Sequence, residues 1–394
     1  MKAYHFTEMP YPHLPPDSEY DSDRVSLPNR HFDPETGAAL YSRYIDEYAL
    51  ADDLGLDLML NEHHQTPTCL DAAVPLMAAV LARITRKGRI LVLGNPVSNR
   101  ADPVRIAEEM AMIDVISRGR LDCGFVRGVP YEIFCSNTNP TLTNERLWEG
   151  IELIRRAWTR HDGPFNFEGK HWHKRHVNVW PRPWQNPHPP IWTTGSTVSP
   201  AVAEIARKGY HFASFLQPYG VVRQLFDIYR SGCAEGPEVA NGRLAFMPLV
   251  FVGDSAAEAR DGAEKLSWFI KSKTPPQFRN PPGYVGVDVN VRALKGEFAG
   301  RTAAIRQRGL DYQIESGVVM AGTPDEVVAQ ILRFHDLTGG FGHLLCMIQA
   351  GFLSHAATVK SMTLFAHEVY PRIRHLGNIT GNHQGMPQER PKSA

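Results

Sequence analysis

Cysteine is scarce in this chain, with five among 394 residues. The cysteines are odd in number, widely separated and form no C-x-x-C pair, so they indicate reduced thiols rather than a disulfide framework or a zinc knuckle. Excess charge of either sign is also absent, because Lys plus Arg and Asp plus Glu both number 42. A nucleic-acid-binding protein needs a basic surface to neutralise phosphates, so we expect no nucleic-acid partner.

Long apolar segments are missing as well. No apolar run approaches the roughly 20 residues that cross a bilayer. The first residues contain no apolar stretch of the kind that forms a secretory signal. These two absences predict a cytoplasmic protein that does not contact a membrane.

What the chain does contain is an alternation of short apolar runs with amphipathic segments. Eight runs have the length and composition of buried parallel strands: Ala3–Phe6, Leu56–Leu60, Arg89–Leu93, Leu121–Val126, Ile191–Thr194, His211–Phe215, Ala245–Val252 and Leu344–Ile348. Between them, apolar residues recur at helical spacing, and Thr323 to Glu326 has the pattern of a capping box. Eight strands alternating with helices predict a (β/α)8 TIM barrel with inserted loops. A doubly wound open sheet is the alternative.

Three segments interrupt this alternation: Pro10–Gly37, Gly163–Pro190 and Lys273–Gly300. The second has the alternation of a small hairpin, and the other two indicate long excursions. In a barrel, loops that follow strands reach the active-site end, so we expect them to shape a binding site. We expect residues 1–376 to form a single barrel domain and residues 377–394 a polar C-terminal tail.

The first candidate cluster for chemistry is Glu62-His63-His64, which follows a predicted strand directly. Imidazole titrates near neutral pH, so two histidines beside a carboxylate suit general acid–base catalysis. Metal binding is less favoured, because adjacent histidines on an extended chain point to opposite sides and the spacing of H-E-x-x-H is absent. We predict no metal site. A purely structural histidine pair is the remaining alternative.

Two further clusters suggest a phosphate site. Arg127 follows a predicted strand and is followed by Gly128, which permits close backbone approach, and Arg146 opens the next helix. The guanidinium of an arginine can donate two hydrogen bonds to one phosphate. An arginine at the end of a strand is, however, often paired with a carboxylate instead.

The second of these clusters is a hydroxyl-rich turn. The helix expected to begin at Ser199-Pro200 offers free N–H groups next to Thr194, Gly195 and Ser196. Ordinary helix capping is the alternative for this turn. A P-loop and a strand-linked G-x-G-x-x-G are both absent.

In this order, these clusters resemble the bacterial luciferase-like, flavin-dependent monooxygenases. The resemblance extends from Lys2 to about Arg374, and it rests on an ordered set of motifs: Glu62–His64, Asn99–Glu108, Asp114–Leu121, Gly124–Gly128, Pro189–Ser196 and Ala321–Pro324. Each motif alone is weak, but their order is specific.

The resemblance implies a (β/α)8 barrel that holds reduced FMN at its carboxyl end. The family's activity would be two-component monooxygenation of a small or medium organic substrate with O2, through a flavin C4a-peroxide. A separate flavin reductase and a homodimer are also implied.

The resemblance also implies roles for single residues. His63 corresponds to the catalytic histidine, and we place Glu62 and His64 with it. The remaining positions would contact the flavin, its ribityl chain or its phosphate: Gly94, Asn95, Arg127, Arg146, Thr194, Gly195, Ser196 and Ser199. At Gly94 and Asn95, many members of the family have a non-proline cis peptide bond.

One departure from the family concerns the substrate. Val126 stands where the luciferase α chain has a reactive cysteine, so long-chain aldehyde chemistry is not expected. Three alternatives stay open: an F420-dependent oxidoreductase of the same superfamily, a flavin-binding protein without turnover, and a metal hydrolase. The identity of the substrate does not follow from the sequence.

Overall fold

A computed structural model describes residues 1–275, 278, 281–287, 291, 295, 305 and 308–377. Two sequence predictions are affected by these limits. The excursion Lys273–Gly300 lies partly outside the described residues, and the polar tail predicted for residues 377–394 lies outside them from residue 378 onward.

Eight parallel strands close into a barrel, as predicted. The described strands are β1 (Lys2–Thr7), β2 (Asp57–Leu60), β3 (Ile90–Asn95), β4 (Leu121–Phe125), β5 (Phe165–Glu168), β6 (His173–Val177), β7 (Ile191–Thr194), β8 (His211–Phe215), β9 (Leu244–Met247), β10 (Leu249–Val252), β11 (Val319–Gly322) and β12 (His343–Gln349). The ring runs β1-β2-β3-β4-β7-β8-β9-β12, and β12 pairs back onto β1. This closure excludes the open sheet. The predicted hairpin is present as the antiparallel pair β5–β6.

The strand predicted over Ala245–Val252 is divided into two. Pro248 lies between β9 and β10, and proline has no N–H with which to continue a ladder. β9 pairs with β8 and β12, whereas β10 pairs with β11 and β12. The sequence analysis missed β11, because its four residues run directly into the start of a helix at Thr323.

Helices cover the outside of the barrel. The described helices are α1 (Pro34–Asp53), α2 (Val74–Ile84), α3 (Pro103–Ser117), α4 (Glu132–Cys135), α5 (Thr143–Thr159), α6 (Ala201–Arg207), α7 (Tyr219–Gly232), α8 (Pro237–Arg243), α9 (Ala256–Leu266), α10 (Trp268–Lys271), α11 (Leu310–Glu315), α12 (Pro324–Thr338), α13 (His355–Leu364) and α14 (Tyr370–Ile373), with a π-helical turn at Phe365–Val369. The capping box that starts α12 is present, with Thr323 and Glu326 bonded to each other's backbone.

Within the described part of the chain, no helix has the length and apolar character needed to span a bilayer.

The apolar core has two layers, one inside the barrel and one between the sheet and the helices. Along β3, Leu91 and Leu93 belong to the inner layer, while Ile90 and Val92 belong to the outer one. Successive residues of a strand face opposite sides, so a strand buried on both faces is apolar throughout. This explains why the predicted strands have no polar alternation.

The long loop after β1 folds back over the carboxyl end of the barrel. Ser22 Oγ donates to the carbonyl of Lys273 at 2.9 Å, and Arg24 Nη2 donates to the carbonyl of Phe269 at 3.1 Å. Arg24 is buried, and its guanidinium also lies over the Phe269 ring, 4.4 Å from the centroid. These contacts join two of the three segments that interrupt the strand–helix alternation.

Asp52, at the end of α1, fixes the turn that leads into β3. Its carboxylate accepts the N–H groups of Arg86 at 2.8 Å, Lys87 at 2.9 Å and Gly88 at 2.5 Å. Burial by itself raises the pKa of Asp52, but these N–H groups and the charge of Arg120 lower it more, so the net shift is downward.

We therefore expect Asp52→Ala to lower the free energy of unfolding by about 2–3 kcal/mol at pH 7. A carboxyl with a lowered pKa stabilises the fold above its unfolded pKa of about 3.9, and this stability is lost as the pH falls through the folded value. The difference between parent and variant should shrink accordingly below about pH 4. Urea unfolding across pH tests this, with the exposed neighbour Asp53→Ala as control. Equal losses in both variants would contradict it.

Candidate active site

Three strands bring the candidate catalytic groups together at the carboxyl end of the barrel. Glu8 follows β1, His63 follows β2, and Glu132 opens α4 shortly after β4. His63 Nδ1 lies 3.0 Å from Glu132 Oε1, and His63 Nε2 lies 3.8 Å from Glu8 Oε2. The His63 side chain is 13% exposed, so it is largely enclosed between two carboxyl groups that are almost completely buried.

Backbone and amide donors hold both of these carboxyl groups. Glu132 accepts the N–H of His64 on Oε1 and the N–H of Val129 on Oε2, each at 3.1 Å. Glu8 Oε2 accepts the side-chain amide of Asn61 at 3.0 Å. Buried carboxyl groups are stable only when such donors replace water, so these contacts fix the two groups in place.

The pKa values of this cluster shift in the direction that its geometry dictates. Burial raises the pKa of Glu8, although His63, Asn61 and Arg24 oppose the shift. Burial alone would lower the pKa of His63, but the hydrogen bond and charge of Glu132 and the charge of Glu8 raise it more. Shifted pKa values on neighbouring acids and bases are a common feature of catalytic sites.

Glu62 and His64 form a second cluster beside the first. His64 Nε2 lies 2.8 Å from Glu62 Oε1, Arg100 Nη2 lies 2.6 Å from both Glu62 oxygens, and the Val74 N–H donates to Glu62 Oε2 at 2.9 Å. The adjacent histidines thus bind different carboxylates. All three predicted catalytic residues lie at one rim, but Glu62 and His64 support the loop after β2, whereas His63 faces Glu8 and Glu132.

Gly94 and Asn95 end β3 at the same rim. A Cβ at Gly94 would lie 2.2 Å from Val126 Cγ1, so only glycine allows this close approach. The described cis peptide bonds precede Pro181 and Pro187, so the bond between Gly94 and Asn95 is trans, and the cis bond suggested by the resemblance is not present.

Buried polar atoms without a partner mark this rim as a place for a ligand. Both amide atoms of Asn95, the last residue of β3, and Nε2 of Gln217, after β8, are buried and make no hydrogen bond within the described structure. Such groups are costly unless something pairs with them. A flavin ring carries several donors and acceptors, so these residues fit a flavin in chemical terms.

Arg127 also lies at this rim, two residues beyond β4 and five before Glu132. Its guanidinium lies over the ring of Tyr284, 3.8 Å from the centroid, and Nη1 donates to the Tyr284 carbonyl at 3.0 Å. The Tyr284 hydroxyl in turn donates to the carbonyl of Gly128 at 2.5 Å. Tyr284 therefore covers the predicted phosphate-binding arginine in this structure.

Arg146, the second arginine predicted for the phosphate, is committed to the protein backbone. Its Nε donates to the carbonyl of Ser98 at 2.8 Å and its Nη2 to the carbonyl of Arg100 at 3.1 Å, while its guanidinium lies 4.6 Å from the centroid of Trp172. It thus holds the loop after β3 that supplies Arg100 to Glu62. Its role at a phosphate stays a prediction.

The hydroxyl-rich turn after β7 differs from its prediction. Thr194, Gly195, Ser196 and Ser199 are partly exposed, and the helix begins at Ala201 rather than at Ser199-Pro200. Ser199 Oγ instead accepts the N–H of Ala201 at 3.3 Å. Pro200 directly precedes the helix and makes no side-chain hydrogen bond to it.

Backbone strain is concentrated at this end of the barrel. Three non-glycine residues after strands have positive φ: Met9 after β1 (47°), Gln65 after β2 (56°) and Leu216 after β8 (47°). This conformation is unfavourable for such side chains and persists only where the surroundings impose it. Its recurrence at one rim supports the placement of the site there.

The sequence analysis missed Glu8, Glu132, Arg100 and Tyr284. Glu8 had a usable signal, because it is an acidic residue directly after a predicted strand. Glu132 and Tyr284 had none, because their contacts depend on distant segments. Among the described residues, no group of three or more His, Cys, Asp or Glu side chains is arranged to hold a metal ion.

Comparison with known proteins identifies the family. The family model of luciferase-like monooxygenases matches residues 24–339. The chain belongs to the luciferase-like monooxygenase family. This chain is 31% identical to y4wF, an uncharacterized protein of Sinorhizobium fredii, over 352 residues. The match covers 87% of this chain and 95% of that protein.

Two of the relatives with named activities are flavin-dependent monooxygenases. The oxygenase component of the flavin-dependent trigonelline monooxygenase of Acinetobacter baylyi is 28% identical over 244 residues, 60% of this chain and 66% of that protein. The FMNH2-dependent dimethylsulfone monooxygenase of Pseudomonas putida is 26% identical over 281 residues, 70% of this chain and 71% of that protein. Flavin-dependent monooxygenases therefore occur among the relatives of this chain.

Solved structures confirm the luciferase-like barrel. The oxygenating constituent of 3,6-diketocamphane monooxygenase from Pseudomonas putida, in complex with FMN, matches with a TM-score of 0.69 at 20% identity, covering 94% of this chain and 98% of that one. An F420-dependent secondary alcohol dehydrogenase matches with a TM-score of 0.63 at 16% identity, covering 84% and 94%. At these identities the likeness shows the fold alone.

The contacts of Arg146 lead to a prediction about stability. Arg146→Ala would leave two carbonyls of the loop after β3 without their donors, so we expect the free energy of unfolding to fall by about 2 kcal/mol. Urea unfolding measures this, and Arg105→Ala, at an exposed arginine of α3, is the control. Unchanged stability in Arg146→Ala would show that the backbone contacts of its guanidinium do not hold the loop.

Proposed function

We propose that this protein is the oxygenase of a two-component monooxygenase, which uses reduced FMN and O2 to oxidise a small or medium organic substrate. The observation that carries the proposal is the enclosed cluster of His63 between Glu8 and Glu132, at the rim where the Asn95 amide has no partner. The flavin-dependent relatives and the family membership support it.

Each group of residues has a proposed task. Reduced FMN, when bound, would supply the electrons that activate O2. Asn95 would bond to the flavin ring, and Arg127 would bind the phosphate together with the turn Thr194–Ser199. Arg146 could join them only through its remaining N–H groups. His63 would hold or release a proton near the reacting atoms.

Exclusion of water is a further requirement that the loops can meet. The loop after β1 is fastened to residues 269–273, and Tyr284 lies over Arg127. An enclosed site strengthens electrostatic interactions and keeps reactive species from side reactions with water. The oxygenase-component relative supports a separate flavin reductase, which we also propose. A homodimer and a cytoplasmic location are further parts of the proposal.

The choice of cofactor is tested by binding. Under anaerobic conditions the protein should bind reduced FMN, and Arg127→Ala should weaken this binding about 10–100-fold, because a charge-assisted hydrogen bond to phosphate is lost. Arg223→Ala, at an exposed arginine of α7, is the matched control. Unchanged affinity in Arg127→Ala would refute the phosphate assignment. Binding of reduced F420 without binding of reduced FMN would favour the F420-dependent alternative.

The reaction class is tested by isotope labelling. With a flavin reductase, NADH and 18O2, a panel of small organic substrates should include one whose product carries 18O. His63→Ala should lower turnover of that substrate about 10²–10⁴-fold while reduced FMN still binds. A protein that binds flavin but labels no product would be the non-catalytic alternative. Full activity in His63→Ala would contradict the proposal that the imidazole holds or releases a proton in the reaction.

A further inference from the structure

The hydrogen bond between Glu132 and His63 has a defined direction. The Glu132 carboxylate accepts two backbone N–H groups, from His64 on Oε1 and from Val129 on Oε2. Both oxygens therefore act as acceptors. The His63 nitrogen that meets Oε1 at 3.0 Å is Nδ1. An ionised carboxylate has only acceptors, so opposite ionised Glu132 this nitrogen is the donor and carries the proton.

The opposite nitrogen of the same ring is differently placed. Nε2 lies 3.8 Å from Glu8 Oε2, which is beyond hydrogen-bonding distance. That oxygen already accepts the Asn61 amide. In the neutral ring, Nε2 therefore has a free lone pair next to a carboxyl group, at the end of the barrel where Asn95 and Gln217 have unpaired polar atoms.

The surroundings of His63 contain charged and titratable groups from several elements. Glu8 and Arg24 come from the segment after β1, Asp71 from the segment after β2, and Tyr131 and Glu132 from the segment after β4. The Tyr131 ring centroid lies 6.4 Å from that of His63. Glu132 is the member of this set that makes a hydrogen bond to the imidazole.

We propose that Glu132 is the positioning residue of this site: it holds His63 in the tautomer with the proton on Nδ1, and so presents Nε2, beside Glu8, as the atom that exchanges a proton with the bound substrate or cofactor. When Nε2 takes up that proton, the imidazolium is stabilised by Glu132 on one side and by Glu8 on the other. When it returns the proton, the ring is neutral again with Nδ1 still protonated. The exchange with substrate rests on the proposed function, whereas the state of the ring does not.

The backbone contacts of Glu132 also fix the position of its carboxylate. Glu132 is 1% exposed and starts α4, a single turn of helix, so its carboxylate is fixed by the Val129 and His64 backbone rather than by a long element. A carboxylate that orients a histidine fixes both its tautomer and its ring plane. Glu8 contributes charge without a hydrogen bond, so the two carboxyl groups should have separable effects.

The test follows the ring itself, in the protein without flavin. Histidines are labelled with 15N, and the His63 signals are assigned by their loss in His63→Ala. The neutral ring of the parent should show a protonated Nδ1 and an unprotonated Nε2, the reverse of the tautomer that free histidine favours. A parent ring with its proton on Nε2 would overturn the proposal.

Three variants separate charge from hydrogen bonding. Glu132→Gln keeps an acceptor but loses the charge, so the pKa of His63 should fall while Nδ1 stays protonated. Glu132→Ala loses both, so the pKa should fall and the tautomer should relax towards protonated Nε2. Glu8→Gln should lower the pKa less than Glu132→Gln and leave the tautomer unchanged. Glu145→Gln, at an exposed carboxylate of α5, is the control and should change neither.

If Glu132→Ala does not fold, Glu132→Gln and the parent spectrum still decide the question. An unchanged His63 pKa in Glu132→Gln would overturn the proposal, as would a larger decrease in Glu8→Gln. Because these spectra need no flavin, their outcome is independent of whether the cofactor or the reaction class has been assigned correctly.

Activity supplies a second readout once a substrate is known. In Glu132→Gln, the limb of the pH profile of kcat that reports His63 should move to lower pH. Turnover at the optimum should fall about tenfold or more in Glu132→Ala, with partial recovery in Glu132→Gln. A lower kcat without movement of that limb would indicate a merely structural role and would contradict the proposal.

Discussion

Closure of the barrel by the pairing of β1 with β12 is the constraint on which the site depends. β1 lies between β12 and β2, with Tyr4 opposite Leu345 on one side and Asp57 on the other. Because all strands of the ring are parallel, every carboxyl end lies at the same rim. Glu8, His63 and Glu132 come from three separate strand ends, and only this common rim brings them into contact.

The rim is then ordered by buried carboxyl groups. Glu8, Glu62 and Glu132 are nearly inaccessible to solvent, and burying a carboxylate is unfavourable unless cations or N–H donors replace water. Glu62 is paired with Arg100 and His64, whereas Glu132 contacts His63 and accepts two backbone N–H groups. These contacts tie the loops after β2, β3 and β4 to one another and fix the candidate catalytic groups that the loops carry.

The division of the motif Glu62-His63-His64 follows from the same physics. Neighbouring side chains on an extended segment point in opposite directions. His64 therefore turns to Glu62 and the supporting cluster, and His63 turns to Glu132 and Glu8. One short motif thus contributes both to the supporting contacts of the rim and to the candidate catalytic cluster. Arg146 extends the supporting contacts by holding the backbone of Arg100.

The sequence by itself determined three features, because each has a local signal. Runs that are apolar on both faces indicated the fold class, and the polar motif after the second run located His63. The capping box indicated the start of α12. The sequence placed Arg127 at the rim for the same reason. The tertiary structure decided the rest: the break at Pro248, the extra strand β11, the later start of α6, the backbone contacts of Arg146, and above all the partners of His63. Those partners depend on which distant strand ends meet when the ring closes, and such contacts between residues far apart in the chain leave no pattern within any one segment of the sequence.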